Sequence, residues 1–269
     1  MAIDLFKRNP IHPGSIATIA ANVFRESIRD RILYLIGLYA LALVAAVALL
    51  PKVSAGTESK IILDVGLAAM ELLALVVTVF VGTALINKEI DKRTVLILVS
   101  KPISRAELIL GKFLGLSAVI AALVALMTLL YCGFFSFSGI NYPLGSILLA
   151  ALYLSFKLGL IIAVAVLFGV FMSSLLATIL TFAIYLVGNF SRSLLELGQT
   201  IDSTGLQAIL TGLYLVLPDL SRLDLKNDAV YGSAALPDIG TLLFNVGYGI
   251  VYAVFLLAIA ILIFSRREF

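Results

Sequence analysis

An all-α, polytopic membrane bundle is the fold that three observations predict. The 269-residue chain is 62% hydrophobic, with a mean hydropathy of +1.14 and only 13% charged residues. Its apolar residues fall into six long runs, most of which reach the ~20 residues a helix needs to cross ~30 Å of hydrocarbon. Lysine and arginine gather in the stretches between alternate runs, the asymmetry by which connecting segments are sorted to one side of a membrane.

Residues 1–31 are polar and begin with Lys7, Arg8, Asn9 and Pro10. Within them Ile16, Ile19, Val23, Phe24 and Ile28 recur at helical spacing, while Asn22, Arg25, Glu26 and Arg29 take the opposite face. That pattern predicts an amphipathic helix lying along the headgroups. A helix packed on a partner protein would carry the same pattern. The apolar run that follows is too long for the core of a signal peptide, so the start reads as an uncleaved anchor.

The spans are expected at residues 32–50, 61–86, 113–135, 145–170, 175–190 and 241–264, all within a single transmembrane domain, 1–269. Pro51 and Lys52 stop the first. The third opens with Gly111 and Gly115 in GxxxG spacing, which allows close approach of another helix. Gly139, Asn141 and Pro143 make the connection to the fourth rich in turn formers, and a tight turn at residues 171–174 leads to the fifth. Residues 191–240 form an extracytoplasmic segment. Its apolar portion, 206–217, is about a dozen residues long and ends at Pro218, a length that suits a short re-entrant or interfacial helix better than a span. Tryptophan is absent, which leaves any aromatic belt to tyrosine.

Orientation follows from charge. With six spans, one side holds Lys7, Arg8, Arg25, Arg29, Arg31, Lys88, Lys92, Arg93, Lys101, Arg105, Lys112, Arg266 and Arg267. The other holds Lys52, Lys60, Arg192, Arg222 and Lys226. This places both termini in the cytoplasm.

The chemistry is sparse. Cys132 is the sole cysteine and His12 the sole histidine, so one chain offers neither an internal disulfide nor a histidine-based metal site. No GxxxxGK[ST] phosphate loop occurs, and no HExxH, CxxC, GxSxG or GxGxxG. No catalytic, cofactor or metal residues are assigned, and no nucleic-acid partner is expected. Two ionisable residues lie deep in apolar spans, Glu71 in the second and Lys157 in the fourth. Each is costly there and is therefore a candidate functional residue. Counted from the outer ends of their spans, their depths differ by only ~3 Å, which allows an ion pair. Such a pair would either line a path or tie two helices together; the unpaired alternative is a protonated Glu71 with a snorkelling Lys157.

Residues 87–112 are the most charged stretch of the chain. They open with Lys88, Glu89, Asp91, Lys92 and Arg93, with Glu89 and Arg93 four apart and the acid first, the favourable order for a helical pair. An apolar turn, Val95 to Val99, stops at Ser100-Lys101-Pro102. Ser104-Arg105-Ala106-Glu107 then reads as a capping box that starts the next helix. The segment predicts a short helix held at the membrane surface and fixed at both ends.

This order of residues (Glu89, Asp91, Thr94, Ser100, Pro102, Ser104, Arg105, Gly111 and Lys112) resembles the cytoplasmic loop of type 2 ATP-binding-cassette (ABC) exporter permeases. In particular it resembles half-size six-span permeases like the one used in maturation of nitrous oxide reductase. Arg93 stands before Thr94, where the family pattern has glycine. The resemblance implies a transmembrane permease subunit of an ABC exporter in a prokaryotic cytoplasmic membrane, without enzymatic activity of its own. ATP and magnesium would be held by a separate ATPase subunit. A second copy, or a similar permease, would complete the pathway, with membrane lipid around it. The coupling helix would involve Glu89, Asp91, Arg93, Thr94, Leu96, Pro102, Ser104 and Arg105. It further implies short outer helices that close the exit. A non-transporting scaffold or assembly factor is the alternative from another class. A secondary transporter would call for inverted repeats, and none is visible in the sequence.

Overall fold

A computed structural model describes residues 12–29, 32–49, 58–91, 104–191 and 204–266 of the chain. The described residues form nine α-helices and one 3₁₀ turn, with no strands. They are α1 (Pro13–Arg29), α2 (Ile32–Leu49), α3 (Glu58–Asp91), α4 (Arg105–Phe137), α5 (Leu144–Phe171), α6 (Ser174–Asn189), α7 (Thr204–Val216), α8 (Lys226–Tyr231) and α9 (Ile239–Arg266), with the 3₁₀ turn at Leu220–Leu223.

Four helices are long and apolar enough to cross a membrane: α3, α4, α5 and α9. The expected first and fifth spans correspond to α2 and α6, which are shorter. At 16 residues α6 extends ~24 Å, less than the ~30 Å of hydrocarbon. The expected loop 87–112 is helical at both ends. Residues 87–91 continue α3, since nothing between Asn87 and Asp91 interrupts a helix. Residues 105–112 are the first turns of α4, started by the capping box at Ser104.

The bundle is organised around α5, which packs against α3, α4, α6 and α9. From Lys157 to Val166 every residue except Gly159 is buried. A helix covered on all sides must be apolar all round, and the Leu158–Val166 run is. By contrast α9 leaves Ile239, Leu243, Phe244, Ile250, Val251, Val254 and Phe255 exposed, a surface suited to lipid.

Buried tyrosines tie the helices together. The Tyr39 hydroxyl donates to the Gly66 carbonyl (3.2 Å), that of Tyr131 to Leu63 (2.9 Å) and that of Tyr153 to Leu242 (2.6 Å). A phenol in an apolar interior requires an acceptor, and helix carbonyls are the nearest ones. These three rings therefore serve helix contacts within the bundle.

The bundle has two distinct ends. At one, the 3₁₀ turn and α8 cover the mouth between α3, α5, α6 and α9, with Leu220, Leu223, Leu225, Ala229 and Val230 buried beneath. Two of these leucines sit on glycines: a Cβ at Gly188 would come within 2.8 Å of Leu220, and one at Gly249 within 2.9 Å of Leu223. At the other end lie the start of α1, the start of α4 and the end of α9. There α1 lies on α4 along the GxxxG pair. A Cβ at Gly111 would meet Ile19 at 2.7 Å, and one at Gly115 would meet the Ala20 carbonyl at 2.7 Å. The apolar stripe of α1 is thus turned to α4, while Thr18, Asn22, Arg25 and Glu26 are exposed.

Candidate functional site

The polar centre at the end covered by the 3₁₀ turn and α8, termed outer for its place in the bundle and not for a side of the membrane, is a square of charges. Thirteen residues into α3, Glu71 meets Lys157, thirteen residues into α5, with Lys157 Nζ 2.5 Å from Glu71 Oε1. The 3₁₀ turn and the start of α8 bring two more charges to the same point. Asp224 Oδ2 accepts from Lys157 Nζ at 2.8 Å, and Lys226 Nζ donates to Glu71 Oε2 at 2.6 Å. Lys226 Nζ also lies 3.4 Å from Asp224 Oδ2, which closes the square. The Tyr185 hydroxyl of α6 donates to Glu71 Oε1 at 2.8 Å, and its ring centroid lies 5.5 Å from Lys157 Nζ. Each acid therefore contacts both bases, and the net charge is zero.

Local structure explains how the outer pair reaches inward. Asp219 caps the 3₁₀ turn by accepting from Ser221 N, and its other oxygen pairs with Arg222 at 3.0 Å. Asp224 then accepts from the Lys226 backbone N–H at 3.2 Å. This turn aims both side chains toward the bundle, between the buried anchors Leu223 and Leu225. Exposure differs across the square. The Lys157 and Glu71 side chains are 1% and 5% exposed, those of Asp224 and Lys226 21% and 30%, so one pair lies inside and the other at the boundary. Burial would raise the Asp224 carboxyl, but the Lys157 and Lys226 ammonium groups outweigh it and hold it below the usual aspartate range. Burial would likewise lower Lys226, but Asp224 and Glu71 outweigh it and hold it above the usual lysine value. Asp224 and Lys226 are therefore both charged at neutral pH. A narrow crevice beside them is lined by Leu67, Met70, Ala150, Ala151 and Leu154.

The inner centre gathers about the start of α4. Ser104 Oγ accepts from Glu107 N at 3.1 Å, and Glu107 Oε2 accepts from Ser104 N at 2.9 Å, completing the capping box. The other oxygen of Glu107 accepts from His12 N at 2.6 Å. His12 is the residue whose carbonyl opens α1 by accepting from Ser15 and Ile16. One buried carboxylate thus closes the N-termini of two helices, where their dipoles favour negative charge. Arg105 donates to the last carbonyls of α9, Phe264 O (2.8 Å) and Ser265 O (3.0 Å), and Lys112 donates to Leu85 O of α3 at 2.6 Å. The two carbonyls that Arg105 reaches are among the last four of α9, which have no partner within the helix, while Lys112 adds a bond to a carbonyl inside α3.

Of the residues singled out in the sequence, Glu71 and Lys157 are brought together, and Ser104 and Arg105 meet at the inner centre. Glu89 and Asp91 lie in the last turns of α3. Arg93, Thr94, Leu96 and Pro102 lie outside the described residues. Sequence reasoning missed Asp224, Lys226 and Tyr185 at the outer centre, and Glu107's bond to α1 at the inner one. The signal for the first two was the alternation Leu223-Asp224-Leu225-Lys226, apolar and charged by turns in a short apolar segment.

Long apolar helices around a charged centre define a polytopic integral membrane protein. The chain belongs to the ABC-2 family transporter proteins, whose family model matches residues 17–269. It is therefore a transmembrane permease subunit of an ABC transporter. No curated protein matches the chain.

Proposed function

We propose that this permease is an exporter subunit driven by a separate ATPase, which docks on the segment between α3 and α4. The observation that supports this reading is the inner centre. Whatever moves the 92–103 segment pulls on Ser104, and from there on three other elements at once. Glu107 carries the motion to α1, Arg105 to the end of α9, and Lys112 to α3. A junction this closely tied transmits a push from one end of the bundle, where a floppy connection would absorb it. ATP with its magnesium belongs to the partner, and closure of two ATPase subunits would drive two permease copies, identical or similar, between inward and outward access. The six-span layout, with both termini cytoplasmic and residues 191–240 outside, is part of the same proposal, as is a prokaryotic inner membrane.

Leu96→Asp in the full chain, co-expressed with an ABC ATPase subunit that the unaltered chain pulls down, tests the docking. The variant inserts and folds but loses pull-down of the ATPase or the stimulation of its hydrolysis. Unchanged binding together with unchanged coupling defeats the reading. Orientation is tested with single cysteines in a Cys132→Ser background and a membrane-impermeant maleimide on intact cells. Labelling at Ser203→Cys and not at Ser100→Cys is expected, and the reverse refutes the layout.

A further inference from the structure

We propose that Asp224 and Lys226 are gating residues, the moving half of an ionic gate whose fixed half is Glu71 and Lys157. This inference rests on the permease reading above, since a gate presupposes a path.

The argument begins with how the square divides. Two of its members, Glu71 and Lys157, project from long helices packed into the centre of the bundle. The other two stand on a short lid, the 3₁₀ turn and α8, which covers the mouth from one end. Each half contains one acid and one base. When the lid lifts, the bonds between halves break: Lys157–Asp224 at 2.8 Å and Lys226–Glu71 at 2.6 Å. The bonds within halves survive. Lys157 keeps Glu71, which also keeps the Tyr185 hydroxyl, and Asp224 keeps Lys226 and its backbone N–H. Neither half is left with an unpaired charge.

This division separates a gate from a clamp. A buried pair split into lone charges opposes opening strongly, because each ion would remain desolvated without a counter-ion. A square that parts into two neutral pairs lacks that penalty. The inner pair stays paired inside the bundle, and the outer pair, already a fifth to a third exposed, moves toward water. Closure is specific all the same, because only one register sets both acids against both bases. Leu220 and Leu223 seat the lid closely, since a Cβ at Gly188 or Gly249 would come within 2.8 and 2.9 Å of them. Beneath the lid lies the crevice, where Ala150 is 6% exposed in the closed state.

The test uses the full chain in nanodiscs with no ATPase present, so its outcome is independent of coupling. Ala150→Cys in a Cys132→Ser background reports opening by its rate of labelling with an impermeant maleimide. Asp224→Asn with Lys226→Gln removes the moving half and leaves the inner pair intact. Labelling is expected to accelerate about tenfold or more, with the unfolding midpoint nearly unchanged. Reversing the lid alone, Asp224→Lys with Lys226→Asp, sets like charges together and should accelerate labelling further. Adding Glu71→Lys with Lys157→Glu should restore the slow rate. Unchanged labelling in the neutral double variant overturns the proposal, because the charges then do not hold the lid. Loss of the fold in that variant overturns it too, because the square is then a permanent clamp.

Discussion

The two polar centres at opposite ends of the bundle use similar side chains for opposite purposes. At the inner end each charged side chain meets backbone: Glu107 two amide N–H groups, Arg105 two carbonyls, Lys112 one. Backbone partners are held in place by the helices that carry them, so these bonds fix one helix against another. At the outer end charged side chains meet one another, and side-chain pairs can be exchanged while every helix stays intact. The inner centre is therefore built to move as a unit, and the outer one to part. Separating α1 from α4 would strand the N–H that opens α1, whereas separating the lid leaves every charge of the square with a partner.

The sharpest way to break the comparison is to unbalance the outer square. Lys157→Met leaves Glu71 and Asp224 sharing Lys226 alone, and a buried carboxylate loses its closest counter-ion. A loss of ~3–5 kcal/mol is expected, read from SDS-induced unfolding in detergent. Adding Glu71→Gln should recover most of it, since Asp224 and Lys226 still pair with each other. Equal damage from single and double changes would remove the square as a unit. Glu71→Gln alone should cost less than Lys157→Met, because Lys157 keeps Asp224.

At the inner end, Gly115→Ala introduces a methyl group 2.7 Å from a backbone carbonyl of α1, which cannot swing aside as a side chain would. A cost of ~1–3 kcal/mol is expected, with α1 shifted off α4. Cysteine cross-linking between α1 and α4 would slow, and wild-type cross-linking in the variant would contradict the welded junction. Glu107→Gln keeps one acceptor but turns an amide NH₂ toward a backbone N–H. The expected cost is about 1–2 kcal/mol, with faster proteolysis at the start of α1. Unaltered proteolysis would show that the carboxylate does not hold α1.

The smallest effect expected is that of pH on the outer end. With its pKa held low, Asp224 contributes stability above the unfolded value of ~4, lost as pH falls through its lower folded value. With its pKa held high, Lys226 contributes stability below the unfolded value of ~10.4, lost as pH rises through its higher folded value. Between about pH 5 and 9 neither group titrates, so the unfolding midpoint attributable to the square should stay flat. A step near neutrality would mean that another group governs the lid.

By itself the sequence determined what hydrophobicity and local hydrogen bonding determine. Continuous apolar runs dictated membrane-length helices, because unpaired backbone in hydrocarbon is too costly for any other arrangement. Ser104 and Glu107 stand three apart, so their reciprocal cap was legible within one turn. Glu71 and Lys157 stood out because a charge in an apolar run is conspicuous, and matching depth allowed their meeting. What only the tertiary structure decided was everything that depends on partners distant along the chain. Glu107 and His12 are 95 residues apart, and Lys226 and Glu71 are 155 apart. The alternation Leu223-Asp224-Leu225-Lys226 marks these charges locally but names no partner for them. Their role arises because the fold seats a short polar turn over a buried pair of opposite charges, Glu71 and Lys157. Gly111 and Gly115 announced a close helix contact, but the helix in that groove proved to be α1. Spacing along one helix records that a neighbour comes near, while the identity of the neighbour is set by how the whole bundle packs.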